Sequence, residues 1–235
     1  MQCKQLILPV VMFALLPALG FAQDKHHEDP TKIVTKLGAG YDDGVTLSGS
    51  IGLDQIRMVN ASINDDASEW RIGGSWLLEL GIVNFSFGRV DYENDIYKNN
   101  YSIGTFMPLS IFDITPGGWQ LFPMAGYNYN EGNQLVEQQR LTFNFTPFNH
   151  GDLTHASSHG VYLGVFGLKP VTEKCSLIVV TGGMVGSNRY SGYWAGVGLS
   201  YKINEQQLLD VFGILSDDDY GQRNDIAMSY SYQFN

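Results

Sequence analysis

The segment that decides the fold is the last one of the chain, Ile226-Ala227-Met228-Ser229-Tyr230-Ser231-Tyr232-Gln233-Phe234. Every even-numbered position in it carries an apolar or aromatic side chain, and every odd-numbered position carries a small or polar one. Successive side chains of a β-strand point to opposite faces, so this alternation predicts a strand with one apolar and one polar face. The same period recurs at 193–201 and 45–53, which predicts a chain built of two-faced strands.

The composition excludes several other classes of protein. Charged residues make up 16% of the 235 residues, against roughly 25% in soluble domains. A disordered chain would be poor in aromatic residues, which reach 13% here, and 27 scattered glycines disfavour a helical protein. A mean hydropathy of −0.10 excludes a bundle of membrane helices. The net charge of −10 disfavours nucleic acid as a partner.

Residues 1–22 have the parts of a secretory signal peptide. Lys4 supplies a positive charge, an apolar stretch follows at 6–19, and Gly20-Phe21-Ala22 places small residues before a cleavage site. The alternative, a retained membrane anchor, needs a longer apolar stretch. We therefore predict a cleaved signal peptide, export, and a short periplasmic N-terminal segment over 23–31.

The polar faces of the predicted strands favour a closed barrel over a soluble sandwich. They are rich in Gly and Ser, where a solvated face would carry Lys and Glu, and small residues suit the inside of a narrow barrel. A membrane also requires closure, because no strand edge stays unpaired in lipid. We predict an all-β, closed antiparallel transmembrane β-barrel over 32–235, with eight to ten strands as the alternative to twelve. The twelve predicted strands are 32–41, 44–52, 55–63, 69–78, 80–91, 98–108, 118–129, 159–169, 174–186, 190–202, 206–215 and 223–234.

The connections between these strands differ at the two ends of the barrel. An even strand count puts both termini in the periplasm. The acidic connections, such as Asp42-Asp43 and Asp217-Asp218-Asp219, then lie outside the cell together with the longest one, 130–158. Such loops suggest Ca²⁺ or Mg²⁺ bridging to lipopolysaccharide phosphates, and the competing interpretation is simple loop solubility.

With its signal peptide and its terminal Tyr230-Ser231-Tyr232-Gln233-Phe234, the chain resembles bacterial outer-membrane β-barrels as a superfamily. The resemblance implies an outer-membrane location among lipids and lipopolysaccharide, and a C-terminal strand that the barrel-insertion machinery reads. The chain departs from the pattern because Asn235 follows the final aromatic residue. The pattern does not distinguish eight-stranded barrels of the OmpA, OmpX and OmpW types from twelve-stranded small-solute channels.

One short motif suggests an enzyme. The stretch Thr154-His155-Ala156-Ser157-Ser158-His159-Gly160 resembles the His-x-Ser pair of lipid A deacylases and of the outer-membrane phospholipase. The resemblance implies Ser157 as nucleophile and His155 as its base. Residues i and i+2 of a strand share a face, so the imidazole can take the hydroxyl proton. Ser158 stands where those families carry Asn, and the competing interpretation is a polar loop entering a strand.

The same region also carries the residue types of a metal site. His150, Asp152, His155 and His159 have spacings that can coordinate zinc. A solvated histidine-containing loop is the competing interpretation. We expect no cofactor.

Charged residues on the predicted inner face are the remaining candidates. Lys36, Arg71 and Asp210 are predicted to face the lumen, where charges pair with each other or set the selectivity of a pore. Arg57 is a further candidate, on a strand with poor alternation. The aromatic residues expected in the interfacial girdle are Trp70, Trp119, Tyr127, Tyr129, Tyr190, Tyr193, Tyr201, Tyr230 and Tyr232. The predicted function is a non-enzymatic barrel, either a narrow passive pore or a structural and surface-interaction protein, with the lipid esterase as the alternative.

Overall fold

A computed structural model describes residues 25–92, 95–135 and 153–234. Twelve strands form one closed antiparallel barrel, in which each strand pairs with its sequence neighbours and the first pairs with the last. This confirms the predicted fold class and the strand count of twelve. The strands are β1 (Thr35–Tyr41), β2 (Val45–Gly52), β3 (Arg57–Asn64), β4 (Glu69–Leu78), β5 (Gly81–Asp91), β6 (Tyr97–Phe106), β7 (Gln120–Leu135), β8 (Leu153–Pro170), β9 (Cys175–Gly186), β10 (Ser191–Lys202), β11 (Gln207–Asp218) and β12 (Gly221–Phe234).

The outer surface of the barrel is an apolar belt. Leu163 of β8 is 68% exposed and Ile226 of β12 is 77% exposed, and every strand contributes at least one exposed large apolar or aromatic residue. Large apolar side chains with this degree of exposure are stable against lipid rather than against water. No helix in the described part of the chain is long and apolar enough to cross a membrane.

The inner wall divides into two halves. From β6 to β11 it carries an apolar cluster, in which the buried Phe122, Leu168 and Ile178 pack with the half-buried Phe106, Phe166 and Phe212. Polar side chains such as Asn130 and Ser176 lie towards the two ends of these strands. Around β12, β1, β2 and β3 it carries small and polar side chains, because the registers of these strands align the Gly and Ser positions of the sequence pattern. We call these the apolar half and the polar half.

Glycines make room for large aromatic side chains in the apolar half. A Cβ atom at Gly126 would overlap Cζ of Tyr162, and one at Gly182 would overlap Cζ2 of Trp194. Tyr162 and Trp194 meet edge to face, with ring centroids 6.2 Å apart. These side chains therefore fill the lumen from one side.

The largest difference from the predicted boundaries lies on β7 and β8. They were predicted to span 118–129 and 159–169, but they pair from Gln120↔Leu168 as far as Leu135↔Leu153. The connection is therefore shorter than the predicted 130–158, and its residues 136–152 lie outside the described residues. The predicted signal peptide, 1–22, also lies outside them.

Candidate functional site: the barrel lumen and the outer rim

The polar half of the lumen holds a cavity of about 220 Å³ in the extracellular part of the barrel. Its walls are small side chains, since residues of this size leave space that larger ones would fill. Tyr41, Asp42, Asn64, Glu69 and Arg223 line its mouth. The inward side chains along its wall are Gly40, Thr46, Ser48, Ser62, Ala227 and Ser229.

One guanidinium holds three carboxylates at this mouth. Arg223 of β12 donates to Glu69 of β4 and to Asp225, and its Nη2 lies 3.5 Å from Oδ2 of Asp42. The planar fork of arginine suits several carboxylates at once. Three negative charges against one positive charge leave the mouth with an excess of negative charge.

A second and more buried ion pair lies at the same end of the lumen. Lys98 of β6 donates to Asp218 of β11, and the hydroxyl of Tyr190 donates to the same carboxylate at 3.1 Å. Tyr190 is only 3% exposed, so its predicted place in the outer aromatic girdle is wrong. Burial, followed by the charge of Asp218, raises the pKa of Tyr190. Burial and the same carboxylate raise the pKa of Tyr220 to about 12, so both phenols stay protonated at neutral pH.

The three predicted lumen residues all lie on the inner wall. Arg71 stands opposite Ser62 in the extracellular part, whereas Lys36 and Asp210 lie near the periplasmic end, opposite Gln233 and Ser229 of β12. Arg57 differs, because it lies at the periplasmic start of β3 and pairs with Asp54 at 2.6 Å. β3 starts just after a turn, and the carboxylate of Asp54 in that turn holds the Arg57 guanidinium outside the lumen.

The motif around Ser157 lies on the outer face of β8. His155, Ser157 and His159 stand opposite Asn133, Glu131 and Tyr129 of β7. Nδ1 of His159 and the Tyr127 hydroxyl are 2.5 Å apart, and Glu131 accepts a hydrogen bond of 3.0 Å from Tyr129. Between these described side chains, no hydrogen bond joins His155 to Ser157.

The predicted zinc ligands are only partly within the described chain. His150 and Asp152 lie outside it, while His155 and His159 share the outer face of β8. Among the described residues, no three His, Cys, Asp or Glu side chains form a group that could hold a metal ion.

Sequence reasoning missed Arg223 and Lys98 as inward charges. Arg223 is in phase with Ser229 and Ser231, on the small and polar face of the deciding strand. The alternation of β12 could therefore have predicted that Arg223 faces inward. Its partner Glu69, however, lies 154 residues away in the chain. Only strand order and closure bring the two together.

Two solved structures share this fold over most of their length. The NanC porin matches 86% of this chain and 99% of its own, at 11% identity and a TM-score of 0.51. The translocator domain of the autotransporter NalP from Neisseria meningitidis matches 85% of this chain and 86% of its own, at 12% identity and a TM-score of 0.52. No protein-family model and no curated protein matches the sequence. The chain therefore has the fold of bacterial outer-membrane β-barrels, as its resemblance to that superfamily predicts.

Proposed function

We propose that this protein is a narrow passive pore of the bacterial outer membrane, without enzymatic activity, for small hydrophilic solutes. The observation that carries the proposal is the polar half of the lumen. Its inner wall holds Gly, Ser, Thr and Ala around an open cavity, whereas the opposite wall is packed with aromatic and aliphatic side chains. A barrel built only for structural support has no need of this division. The conducting path therefore runs eccentrically, along β12, β1, β2 and β3.

The charges at the extracellular mouth favour cations. Glu69, Asp225 and Asp42 outnumber Arg223 and the nearby Arg71 there, and rings of carboxylates select cations in channels. The net charge of the whole chain, −10, has the same sign and raises the local concentration of cations at the entrance.

A matched pair of tryptophan substitutions in β2 tests the path. Ser48 faces the cavity, and its neighbour Leu47 faces lipid, where it is 56% exposed. We expect Ser48→Trp to lower single-channel conductance in a planar bilayer by about half or more, since pore diameter limits permeation. Leu47→Trp adds the same side chain outside the barrel and leaves conductance unchanged. Equal conductance in both variants contradicts the eccentric path, and a silent wild-type protein contradicts the pore.

A lipid esterase at the outer rim is the second candidate. It is favoured by the register that places Glu131 opposite Ser157, because a carboxylate there supplies an acid beside the His-x-Ser motif. Ser157→Ala is then expected to abolish acyl release from phospholipid or lipopolysaccharide, while Ser191→Ala, an exposed serine of the same barrel end, retains it. If purified wild-type protein releases no acyl chain, the esterase is excluded.

The proposed partners follow from the membrane location. Outer-membrane lipids surround the apolar belt, and the insertion machinery reads β12. The acidic extracellular turns, including Asp43 and Asp219, are proposed to hold Ca²⁺ or Mg²⁺ against lipopolysaccharide phosphates.

A further inference from the structure

The ten residues before β1, 25–34, lie inside the periplasmic end of the lumen against β9 to β12, and we call them the N-terminal segment. Nε2 of His26 is 2.8 Å from Oγ of Ser176 on β9. Three strands further round the wall, Nζ of Lys32 donates to Oε1 of Gln233 on β12 at 3.1 Å. Ser176 and Gln233 face inward and are 3% and 4% exposed. The segment therefore reaches from the wall at β12 to the wall at β9.

The segment has an ordered structure of its own. Oδ1 of Asp29 accepts hydrogen bonds of 2.7 Å from both the backbone N–H and the hydroxyl of Thr31. Nζ of Lys25 donates to the Thr31 carbonyl at 3.0 Å and to its hydroxyl at 2.8 Å. Thr31 is only 1% exposed. This side-chain-stabilised turn holds the segment compact, so that it docks as a unit.

Like charges meet where the segment enters the lumen. The negative charge of Asp210 on β11 acts on the carboxyl group of Glu28, and the ammonium groups of Lys36 and Lys32 act in the opposite sense. Two neighbouring carboxyl groups do not both ionise without cost. A fully ionised pair therefore weakens the docking of the segment.

Several polar atoms at this contact have no hydrogen-bond partner. They are Oδ1 of Asp210, Nε2 of Gln233 and Nδ1 of His27. Buried polar atoms without partners cost stability, and water satisfies them when the segment leaves. The docked contact is therefore weaker than a fully hydrogen-bonded one, which favours an equilibrium between docked and released segments.

We propose that residues 25–34 are a reversible plug that closes the periplasmic end of the pore. The inference rests on the proposed function, because a plug regulates only a barrel that conducts. In the docked state the plug covers the periplasmic end of the lumen between β9 and β12. In the released state it leaves the inner wall, and the polar half becomes continuous with the periplasm.

The first test measures conductance of the full-length protein, as recovered from the membrane, in a planar bilayer. Asp29→Ala removes both hydrogen bonds that hold the turn at Thr31, so we expect the open fraction to rise about tenfold. The matched control is Asp66→Ala, which removes a carboxylate that accepts the Ser68 N–H at 2.9 Å in an extracellular turn. The control is expected to gate like the wild type. Equal open fractions in all three proteins overturn the plug.

The second test does not need current. In a Cys175→Ser background, Thr31→Cys places a thiol at the buried centre of the plug, and Glu173→Cys places one in an exposed periplasmic turn. With a water-soluble maleimide, we expect position 31 to react at least about tenfold more slowly than position 173. Adding Asp29→Ala should remove most of that difference.

The two tests separate the failure of the plug from the failure of the pore. Steady conductance together with a fully reactive position 31 overturns the plug and leaves the pore standing. If position 31 is protected but every variant is silent, including Asp29→Ala, the pore is overturned and the segment is a permanent closure. Protection that Asp29→Ala releases, together with a rise in open fraction, supports both.

Discussion

The two halves of the inner wall are made of the same kind of strand but have opposite contents. In the apolar half, Phe122 and Leu168 are 1% and 0% exposed and pack like the core of a soluble protein. In the polar half, the inward side chains are small and surround a cavity. Stability and permeation are thus divided between opposite sides of one cylinder. A narrow barrel can therefore keep a solid core without filling the whole of its lumen.

The largest expected effect is on stability, and it should differ between the buried cluster of the apolar half and the lipid-facing surface of β8. Leu168→Ala leaves a cavity in the buried cluster and should lower the free energy of unfolding by about 2–5 kcal/mol. Leu163, on the outer face of β8 and 68% exposed, is the matched control. Leu163→Ala leaves no internal cavity and should lower it by only about 1–2 kcal/mol, the transfer free energy lost from lipid. Urea unfolding in detergent or lipid measures both. Equal losses would mean that the apolar half is not a packed core.

A smaller effect is expected on ion selectivity in the polar half. Arg223→Gln leaves the carboxylates of Glu69, Asp42 and Asp225 without their cation, so the cation-over-anion permeability ratio should rise by about twofold or more. Glu69→Gln should lower it. Arg189→Gln removes an exposed cation at the same end of the barrel and serves as the control. Reversal potentials in a salt gradient measure the ratio, and unchanged ratios in all variants would place the conducting path elsewhere.

The effect of pH sharpens the contrast between the two ends of the polar half. Burial, then the charge of Asp210, raises the pKa of Glu28, and the cations Lys36 and Lys32 oppose this. Because the raised pKa belongs to the docked state, protonation of Glu28 favours docking. This contribution is complete below about pH 4.3, the ordinary pKa of glutamate, and it is lost as the pH rises through the raised pKa. The open fraction of the wild type relative to Glu28→Gln should therefore increase with pH. Each unit of the raised pKa corresponds to about a tenfold change.

The histidines of the plug act in the opposite direction. Burial and nearby cations lower the pKa of His26 and His27. The cations facing them are Lys32 and Lys202, and the acids are Asp29 for His26 and Glu205 for His27. Protonation therefore disfavours docking as the pH falls below the ordinary histidine value of about 6.5. Glu28→Gln retains both histidines. The ratio of the wild-type open fraction to that of Glu28→Gln therefore reports the effect of the Glu28 carboxyl group alone. A ratio that does not change with pH would contradict a role for Glu28.

The smallest expected effect concerns divalent cations at the acidic extracellular turns. If they bridge to lipopolysaccharide, a chelator should lower the thermal midpoint of the barrel in lipopolysaccharide-containing bilayers by a few degrees, since about 1 kcal/mol shifts it by roughly 2–4 °C at this chain length. The control bilayer contains phosphatidylcholine only. A midpoint that the chelator leaves unchanged in both bilayers removes cation bridging from the proposal.

Local pattern predicted most of the barrel. The period of two placed Lys36, Arg71 and Asp210 on what proved to be the inner wall, because parity along one strand is a local property. The polar and apolar residues of the predicted strand 80–91 alternate poorly, and the reason is the environment of its inner face in the folded barrel. Ile82 faces inward at 0% exposure, opposite Phe106 of β6. Alternation is lost when both faces of a strand are apolar.

The extents of β7 and β8 could not be predicted from their own residues. Polar side chains such as Asn133 and Thr154 indicate a loop when each strand is considered alone, yet the two strands pair across this stretch. Backbone hydrogen bonds between neighbouring strands stabilise it irrespective of side-chain polarity. The Ser157 motif was placed on the correct face, but the carboxylate opposite it comes from the partner strand.

The sequence by itself determined that the chain forms two-faced strands and which face of most strands points inward, because these properties depend on the spacing of neighbours along one strand. It predicted twelve strands but left eight to ten open. Only the tertiary structure decided which inward side chains meet. Closure of the barrel brings Arg223 to Glu69 and sets the N-terminal segment beside Asp210. It also gathers the aromatic side chains on one side of the lumen. Such contacts depend on strand order and register around the whole cylinder, so no single stretch of sequence contains them.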